Sequence, residues 1–358
     1  MNEDDYEYEQ NKDYENEYNE IQYQNEYADL KNEMEYIKNG EKMRQKILIT
    51  GATGFIGKEL ISKLQKSNEN EIHILERYVT GRYTLDNRNI ITHYANLADY
   101  SAIRNIVKDI KPEYVIHLGA ISAVSFSYEH PIEVTEVDYL GTLNLAEACY
   151  HEVPNFKQFI FAGTSEEYGM ELTDPKAFLK EQSDLKPNSP YAIAKVAADL
   201  YLQYMGMAYH FPYTIIRPFN TYCRKDNVHF FIERTITQML SNPEGKVYLG
   251  DPDAIRDWVY VDDHVDAYIK ALGNQKAIGQ TINICTGNGY TTKETAELIA
   301  QMTNFKGEIV WHSTPPRPLD AKILIGDNTK AEKLLGWKPK YSLEEGLKKT
   351  IDYWRAKR

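Results

Sequence analysis

The sequence predicts an α/β fold, a doubly wound parallel sheet followed by a smaller C-terminal α/β region. Three observations predict it. An apolar run over residues 47–49 leads at once into glycines at 51, 54 and 57, then a helical pattern from Phe55 to Leu64. A second apolar run, over 72–75, ends on the acidic Glu76. From there to residue 161 short apolar runs alternate with helical patterns, the order of a parallel sheet with helices on both faces.

Strand, glycine turn and helix in that order suit a Rossmann-type dinucleotide site. Gly51 allows the tight turn, Gly54 lets backbone approach a pyrophosphate, and Gly57 lets the helix lie close to the strand. The helix N-terminus offers free N–H groups and positive potential to phosphates. The spacing is G-x-x-G-x-x-G rather than G-x-G-x-x-G, and glycine clusters also serve plain turns. Glu76, about 20 residues past the glycines, is placed to accept hydrogen bonds from an adenosine ribose, which favours NAD. Arg77 and Arg82 lie nearby and arginines can hold a 2′-phosphate, so NADP stays open.

The next elements follow in order. Residues 89–92 read as a third strand, 99–110 as a helix and 114–117 as a fourth strand. The small-residue turn His117-Leu118-Gly119-Ala120 then brings backbone close to the cofactor. A helix over 131–150 precedes a fifth strand at 157–161. Ligands are expected beyond the C-terminal ends of these strands. After Arg217 the pattern loosens into helices over 229–240, 263–272 and 292–302, and strands near 246–249, 258–261 and 281–284. Lys330 to Trp337 reads as a helix closed by Gly336, with Trp337 packing rather than stacking on substrate. The expected organisation is a tail over 1–43, a nucleotide-binding domain over 44–217 and a substrate domain over 218–358. Residues 255–284 are expected to return to the first domain.

The charge is uneven. Of the net −12, −10 belongs to residues 1–40, with thirteen acidic residues and three lysines; the remaining 318 residues carry −2. The body is nearly neutral and holds no basic patch, so nucleic acid is not an expected partner. The tail is rich in Tyr, Asn and Glu and reads as mostly disordered. Tyr23, Tyr27, Leu30, Met34 and Ile37 form a helical stripe within it, so one docking helix over about 19–38 is the alternative. Three separated cysteines, Cys149, Cys223 and Cys285, suggest no disulfide framework and no zinc spacing. A cytoplasmic protein is expected, with no metal and no membrane span.

The fifth strand delivers Gly163-Thr164-Ser165-Glu166-Glu167-Tyr168-Gly169. A Pro- and Asn-containing turn follows, then Ser189-Pro190-Tyr191-Ala-Ile-Ala-Lys195. Tyr191 and Lys195, four apart, share one helix face. A lysine beside a phenol favours the phenolate, so Tyr191 is expected to act as a base near neutral pH. Tyr–Lys pairs are also common on helix surfaces.

With the Arg217-Pro-Phe-Asn220-Thr-Tyr222 and Arg256-Asp-Trp-Val-Tyr-Val-Asp-Asp263 segments added, the chain from Gln45 onward resembles the extended short-chain dehydrogenase/reductase family. Within it the resemblance is to enzymes that modify nucleotide-activated sugars. The resemblance implies that Thr164, Tyr191 and Lys195 surround the sugar O4. It implies that Asn220, Arg256 and Arg317 hold the nucleotide diphosphate. It carries Thr53, Phe55, Ile56, Asn96, Leu97, Leu118 and Ala120 to the cofactor side, and Ser122 and Val124 to the substrate side.

Glu166 discriminates within the family. Epimerases usually carry no acid after the serine or threonine, whereas 4,6-dehydratases place a carboxylate there to take the C5 proton. Thr-Ser-Glu resembles the order in GDP-mannose 4,6-dehydratases. Ser165 stands where the deoxythymidine class has an Asp, so Glu166 would serve both as base and as acid. The resemblance thus implies an NDP-sugar 4,6-dehydratase, a lyase that retains its NAD. A UDP-glucuronate decarboxylase or a 4-epimerase on the same fold is the alternative, and a sensor without turnover would have lost Tyr191 or Lys195. Departures from the family pattern fall at Asn96, Asp138, Glu167 and Cys223, and Glu167 is read as structural. A homodimer or homotetramer paired through the helices at 131–150 and 191–209 is expected.

Overall fold

A computed structural model of the chain describes residues 44–77, 90–170, 172–225, 227–313 and 317–357. The tail with its helical stripe, and Arg82, lie outside the described residues.

Strand β1 (Gln45–Thr50) and helix α1 (Phe55–Leu64) flank the glycine turn. Then come β2 (Asn70–Glu76), β3 (Ile90–Tyr94), α2 (Tyr100–Ile110) and β4 (Tyr114–His117). Asp99 caps α2, accepting from the Ala102 N–H at 3.0 Å. The helical stretch that follows has four parts: α3 (Val124–Glu129), α4 (Pro131–Val134), a π-turn (Thr135–Leu140) and α5 (Gly141–Glu152). Strand β5 (Gln158–Ala162), a 3-10 turn (Ser165–Glu167), α6 (Pro190–Tyr209) and β6 (Tyr213–Pro218) complete the first half.

The second half holds β7 (Asn220–Tyr222), α7 (Phe231–Ser241), β8 (Lys246–Tyr248), β9 (Ile255–Tyr260), α8 (Val261–Ala271) and β10 (Gln280–Ile284). It continues with β11 (Gly289–Thr291), α9 (Thr292–Thr303), β12 (Glu308–Val310), β13 (Ile323–Leu324), α10 (Thr329–Leu335) and α11 (Leu343–Ala356).

Seven strands form the central sheet in the order β10-β6-β5-β4-β1-β2-β3, with parallel pairing throughout the recorded registers. Ile47, Leu48 and Ile49 are wholly buried. Helices cover both faces, so the run is continuously apolar rather than alternating. The strand order reverses between β1 and β4, and the crevice beyond their C-terminal ends is where such sheets take ligands.

One expectation needs correction. The strand Ile255–Tyr260 does not return to the central sheet. It lies in a second sheet, β11-β9-β13, with β7 also paired to it. The chain leaves the central sheet at Pro218, which has no N–H to continue the ladder, and the short β7 that follows templates β9 instead. Of residues 255–284, β10 does pair with β6 in the central sheet. Trp337 packs as expected: it is fully buried and its indole N–H donates to the Asp263 carbonyl at 2.8 Å.

Candidate active site

The glycine turn is built to be filled by something other than side chain. Gly51 has φ +68°, and a Cβ there would lie 2.7 Å from the Gly119 nitrogen. The loops after β1 and β4 therefore touch at the switch point, where only glycine fits. A Cβ on Gly57 would meet the Gly51 carbonyl oxygen at 2.3 Å. Helix α1 starts from an extended Gly54 with no side-chain cap, leaving its first N–H groups unclaimed by any side chain. At the end of β2, Glu76 Oε2 accepts from the Thr53 hydroxyl at 2.9 Å, while its Oε1 is buried without a partner. An orphaned carboxylate oxygen here fits a ribose hydroxyl. These residues suit a dinucleotide.

Arg77 is exposed and lies 3.5 Å from Glu133 in an ion pair. The Asn96 side chain accepts from the Ala98 N–H at 3.2 Å, closing its own turn. Leu97 packs beneath Gly119 and Gly141, and the Leu118 N–H donates to the Thr50 carbonyl at 3.2 Å. Ala120 and Ser122 continue this loop and Val124 opens α3. Ser122, Ile121 and Phe126 line a cavity of about 340 Å³ that Asn227 and Phe230 close from the second half. Behind the loop, His117 bridges Thr50 (2.6 Å) and Thr142 (3.0 Å). Burial pushes its pKa to about 3, so the ring is neutral.

Replacing Gly51 with Ala is expected to cost about 1–2 kcal/mol from the left-handed backbone alone, before any clash with Gly119. A thermal melt should fall and the purified protein should lose its bound dinucleotide. An unchanged melt with full cofactor content would contradict this cradle.

The catalytic turn leaves the C-terminal end of β5. Thr164 is extended; its hydroxyl accepts from the Glu166 N–H at 3.2 Å, and its own N–H donates to Glu167 at 2.8 Å. This reciprocal capping fixes a three-residue helical turn. Ser189 caps α6, whose first turn brings Tyr191 near Thr164, close enough for the threonine hydroxyl to work against the rise of the phenol pKa. Thr164, Ser165, Glu166, Tyr191 and Lys195 are all buried. Glu166 Oε2 has no partner.

Lys195 differs from expectation. Its ammonium donates to the Ala162 carbonyl at 2.9 Å and sits 4.6 Å from the Phe161 ring centre. Burial draws its pKa down, against Asp138 and Glu167, which raise it. The surroundings work against the Tyr191 phenolate: burial raises the phenol pKa, Asp138, Glu166 and Glu167 add to this, and the Thr164 hydroxyl opposes it.

On the other wall, Arg256 and Arg317 converge on one carboxylate. Arg256 lies 3.3 Å and Arg317 3.4 Å from Asp320 Oδ1. Arg256 is buried; desolvation lowers its pKa while Asp320 and Glu166 raise it, so Glu166 and Arg256 share one field. Two guanidinium groups side by side suit a diphosphate. Asn220 begins β7 with its Oδ1 buried and unpartnered.

The family model for GDP-mannose 4,6 dehydratase matches residues 48–350. The chain belongs to that family. It is 30% identical to a GDP-mannose 4,6-dehydratase from Vibrio cholerae over 85% of this chain and 92% of the relative. Among solved structures, a UDP-glucose 4-epimerase from Thermotoga maritima with UDP-glucose superposes with a TM-score of 0.79 at 34% identity. A Thermus thermophilus UDP-glucose 4-epimerase complexed with NAD gives 0.77 at 28%. Each alignment covers 87% of this chain and 99% of the other. The family is one of extended short-chain dehydrogenase/reductases that dehydrate or epimerise nucleotide sugars.

Sequence reasoning gave no role to four residues near this family site. Asp138 lies on the π-turn, a deviation common at functional sites. Its Oδ1 accepts from the Ile121 N–H at 2.7 Å and its Oδ2 is unpartnered. Burial raises its pKa to about 6 against the pull of Lys195. Tyr128 donates within reach of the Asn188 (3.1 Å) and Leu319 (3.2 Å) carbonyls, joining α3 to the Arg317–Asp320 loop. Asp320 was visible in the motif beside Arg317, but its role between two arginines was not. Arg224 stacks on Phe230, 3.6 Å from the ring centre, and lies 5.6 Å from the Phe55 ring centre. Its only signal was a cation just after Cys223, which takes φ +70°.

Among the described residues no group of His, Cys, Asp or Glu could hold a metal ion, and no helix is long and apolar enough to cross a membrane.

Proposed function

We propose that the protein is an NDP-sugar 4,6-dehydratase with NAD bound in the glycine-turn crevice, converting a nucleotide-activated hexose to its 4-keto-6-deoxy form. The observation that carries this reading is Glu166. A buried carboxyl with a free oxygen, in the same turn as Thr164 and within the field of Tyr191 and Arg256, is more than a 4-epimerase requires. Arg256, Arg317 and Asn220 hold the diphosphate. Thr164 and Tyr191, neighbours at the end of β5, address the sugar O4.

When bound, the dinucleotide supplies an acceptor that takes hydride from C4 and later gives it back at C6. Tyr191 Oη takes the O4 proton, and Thr164 steadies the oxygen left behind. The 4-ketone acidifies the C5 hydrogen, and Glu166 removes that proton. The C6 hydroxyl then leaves as water with the proton that Glu166 took; once hydride is back at C6, C5 gains a proton that has exchanged with solvent, and Tyr191 gives up the O4 proton to solvent, so both residues end as they began. The unpartnered Glu76 Oε1 supports NAD, and the pairing of Arg77 with Glu133 takes that arginine toward α4.

A 4-epimerase is the second reading, because both solved relatives described above carry that name. Turnover in heavy water separates the two. A dehydratase product carries solvent deuterium at C5; a 4-epimerase product carries none.

We also propose that a second copy covers α4, α5 and α6. Ile132 (73% exposed), Ile193 (57%), Leu200 (51%) and Met207 (77%) form an apolar surface there. The wild-type protein should then scatter light as a dimer, and a Leu200→Glu, Met207→Glu double variant as a 41.5 kDa monomer. Unchanged mass in the variant would place the interface elsewhere.

A further inference from the structure

The mechanism uses Glu166 and leaves its neighbour idle, yet Glu167 is the more deeply buried of the two, with no exposed surface. It sits in an ionic cluster under the catalytic turn. Arg217 lies between two carboxyl groups, Glu167 and Asp199, and all three are inaccessible to solvent. Two of the guanidinium nitrogens, Nε and Nη2, donate to Asp199 Oδ2 at 3.0 and 2.9 Å, while Nη1 is buried without a partner. Glu167 Oε2 lies 2.8 Å from the same Nε, but that N–H is already aimed at Asp199, and Oε2 receives no hydrogen bond. A bare carboxylate oxygen left so in the interior is costly. One guanidinium thus faces two buried carboxyl groups and can neutralise only one of them; burial and the neighbouring Asp199 both push the Glu167 carboxyl pKa up.

The other oxygen of Glu167 faces the chemistry. Oε1 accepts the Thr164 N–H at 2.8 Å, and the Thr164 hydroxyl accepts the Glu166 N–H at 3.2 Å close to Tyr191. A Cβ at position 163 would lie 2.6 Å from Oε1, so Gly163 leaves the space into which this carboxyl fits. Arg217 is further fixed over the Tyr168 ring, 5.0 Å from its centre, and Tyr168 donates to Asn283 at 2.7 Å.

We propose that Glu167 is a positioning residue held as the neutral acid: its Oε2 lies beside an Arg217 already claimed by Asp199, and its Oε1 holds Thr164 at the end of the catalytic turn. The role of Thr164 rests on the function proposed above; the protonation of Glu167 does not.

Two variants and one spectrum test this. Glu167→Gln reproduces the neutral acid, with an amide oxygen for Thr164 and an N–H for Asp199. Glu167→Leu keeps the bulk but orphans the Thr164 N–H. Reduction of the bound nicotinamide, read by its near-ultraviolet absorbance with GDP-mannose and UDP-glucose as probes, reports C4 oxidation whichever product is finally released. Glu167→Leu should slow it about tenfold or more, at unchanged KM, and Glu167→Gln should restore it. The infrared spectrum of the resting protein at neutral pH should contain a protonated carboxyl C=O band that Glu167→Gln lacks. A Glu167→Leu rate equal to wild type would overturn the positioning role. A folded Glu167→Gln protein as slow as Glu167→Leu, or absence of the infrared band, would overturn the neutral acid. If neither sugar reduces the wild-type cofactor, the functional reading is what fails, and the band still decides the protonation of Glu167.

Discussion

Replacing Glu166 with Gln is expected to leave the first half of the reaction intact and stop the second. The amide keeps the size of the side chain and its place in the capped turn, where the backbone N–H of residue 166 still donates to Thr164. What it loses is the capacity to accept a proton at the buried, unpartnered Oε2. General-base removal is typically worth about 10²–10⁴-fold, so elimination should fall by that factor while C4 oxidation continues. In a single turnover the bound nicotinamide should become reduced and stay reduced. A Glu166→Gln protein that releases dehydrated product at the native rate would show that another group takes the C5 proton.

Tyr191→Phe should remove both halves. The aromatic ring still fills its buried site, so folding should be preserved, but the O4 proton has no acceptor. The loss in C4 oxidation should again be about 10²–10⁴-fold, with no reduced nicotinamide accumulating. The wild-type pH profile carries the matching signature. Because burial raises the phenol pKa, the ionised fraction at neutral pH is small and grows as pH rises. The C4 oxidation rate should therefore climb from neutral into alkaline solution. A flat profile over that range would contradict Tyr191 as the base.

The site was legible where a residue's chemistry follows from its place in the chain. Gly51, Glu76, Thr164 and Tyr191 sit at strand ends or helix starts, and local pattern alone puts such residues at the crevice. Glu167 was read as structural from strand alternation. It is structural, but because the turn Ser165–Glu167 is helical and aims it inward to Arg217. What stayed illegible depends on contacts between distant segments. The pairing of Arg256 with Asp320, the approach of Arg224 to the Phe55 ring, and the second sheet around β9 all join parts of the chain that no local spacing relates. The raised phenol pKa was missed for the same reason, since burial is a property of the assembled fold.

Whether the Thr164–Glu166 turn directs dehydration is read from the mass of the sugar nucleotide released after incubation with GDP-mannose, UDP-glucose and dTDP-glucose. One of them should be returned lighter by one water. A product of unchanged mass with inverted C4 would mean an epimerase and would contradict the dehydratase reading.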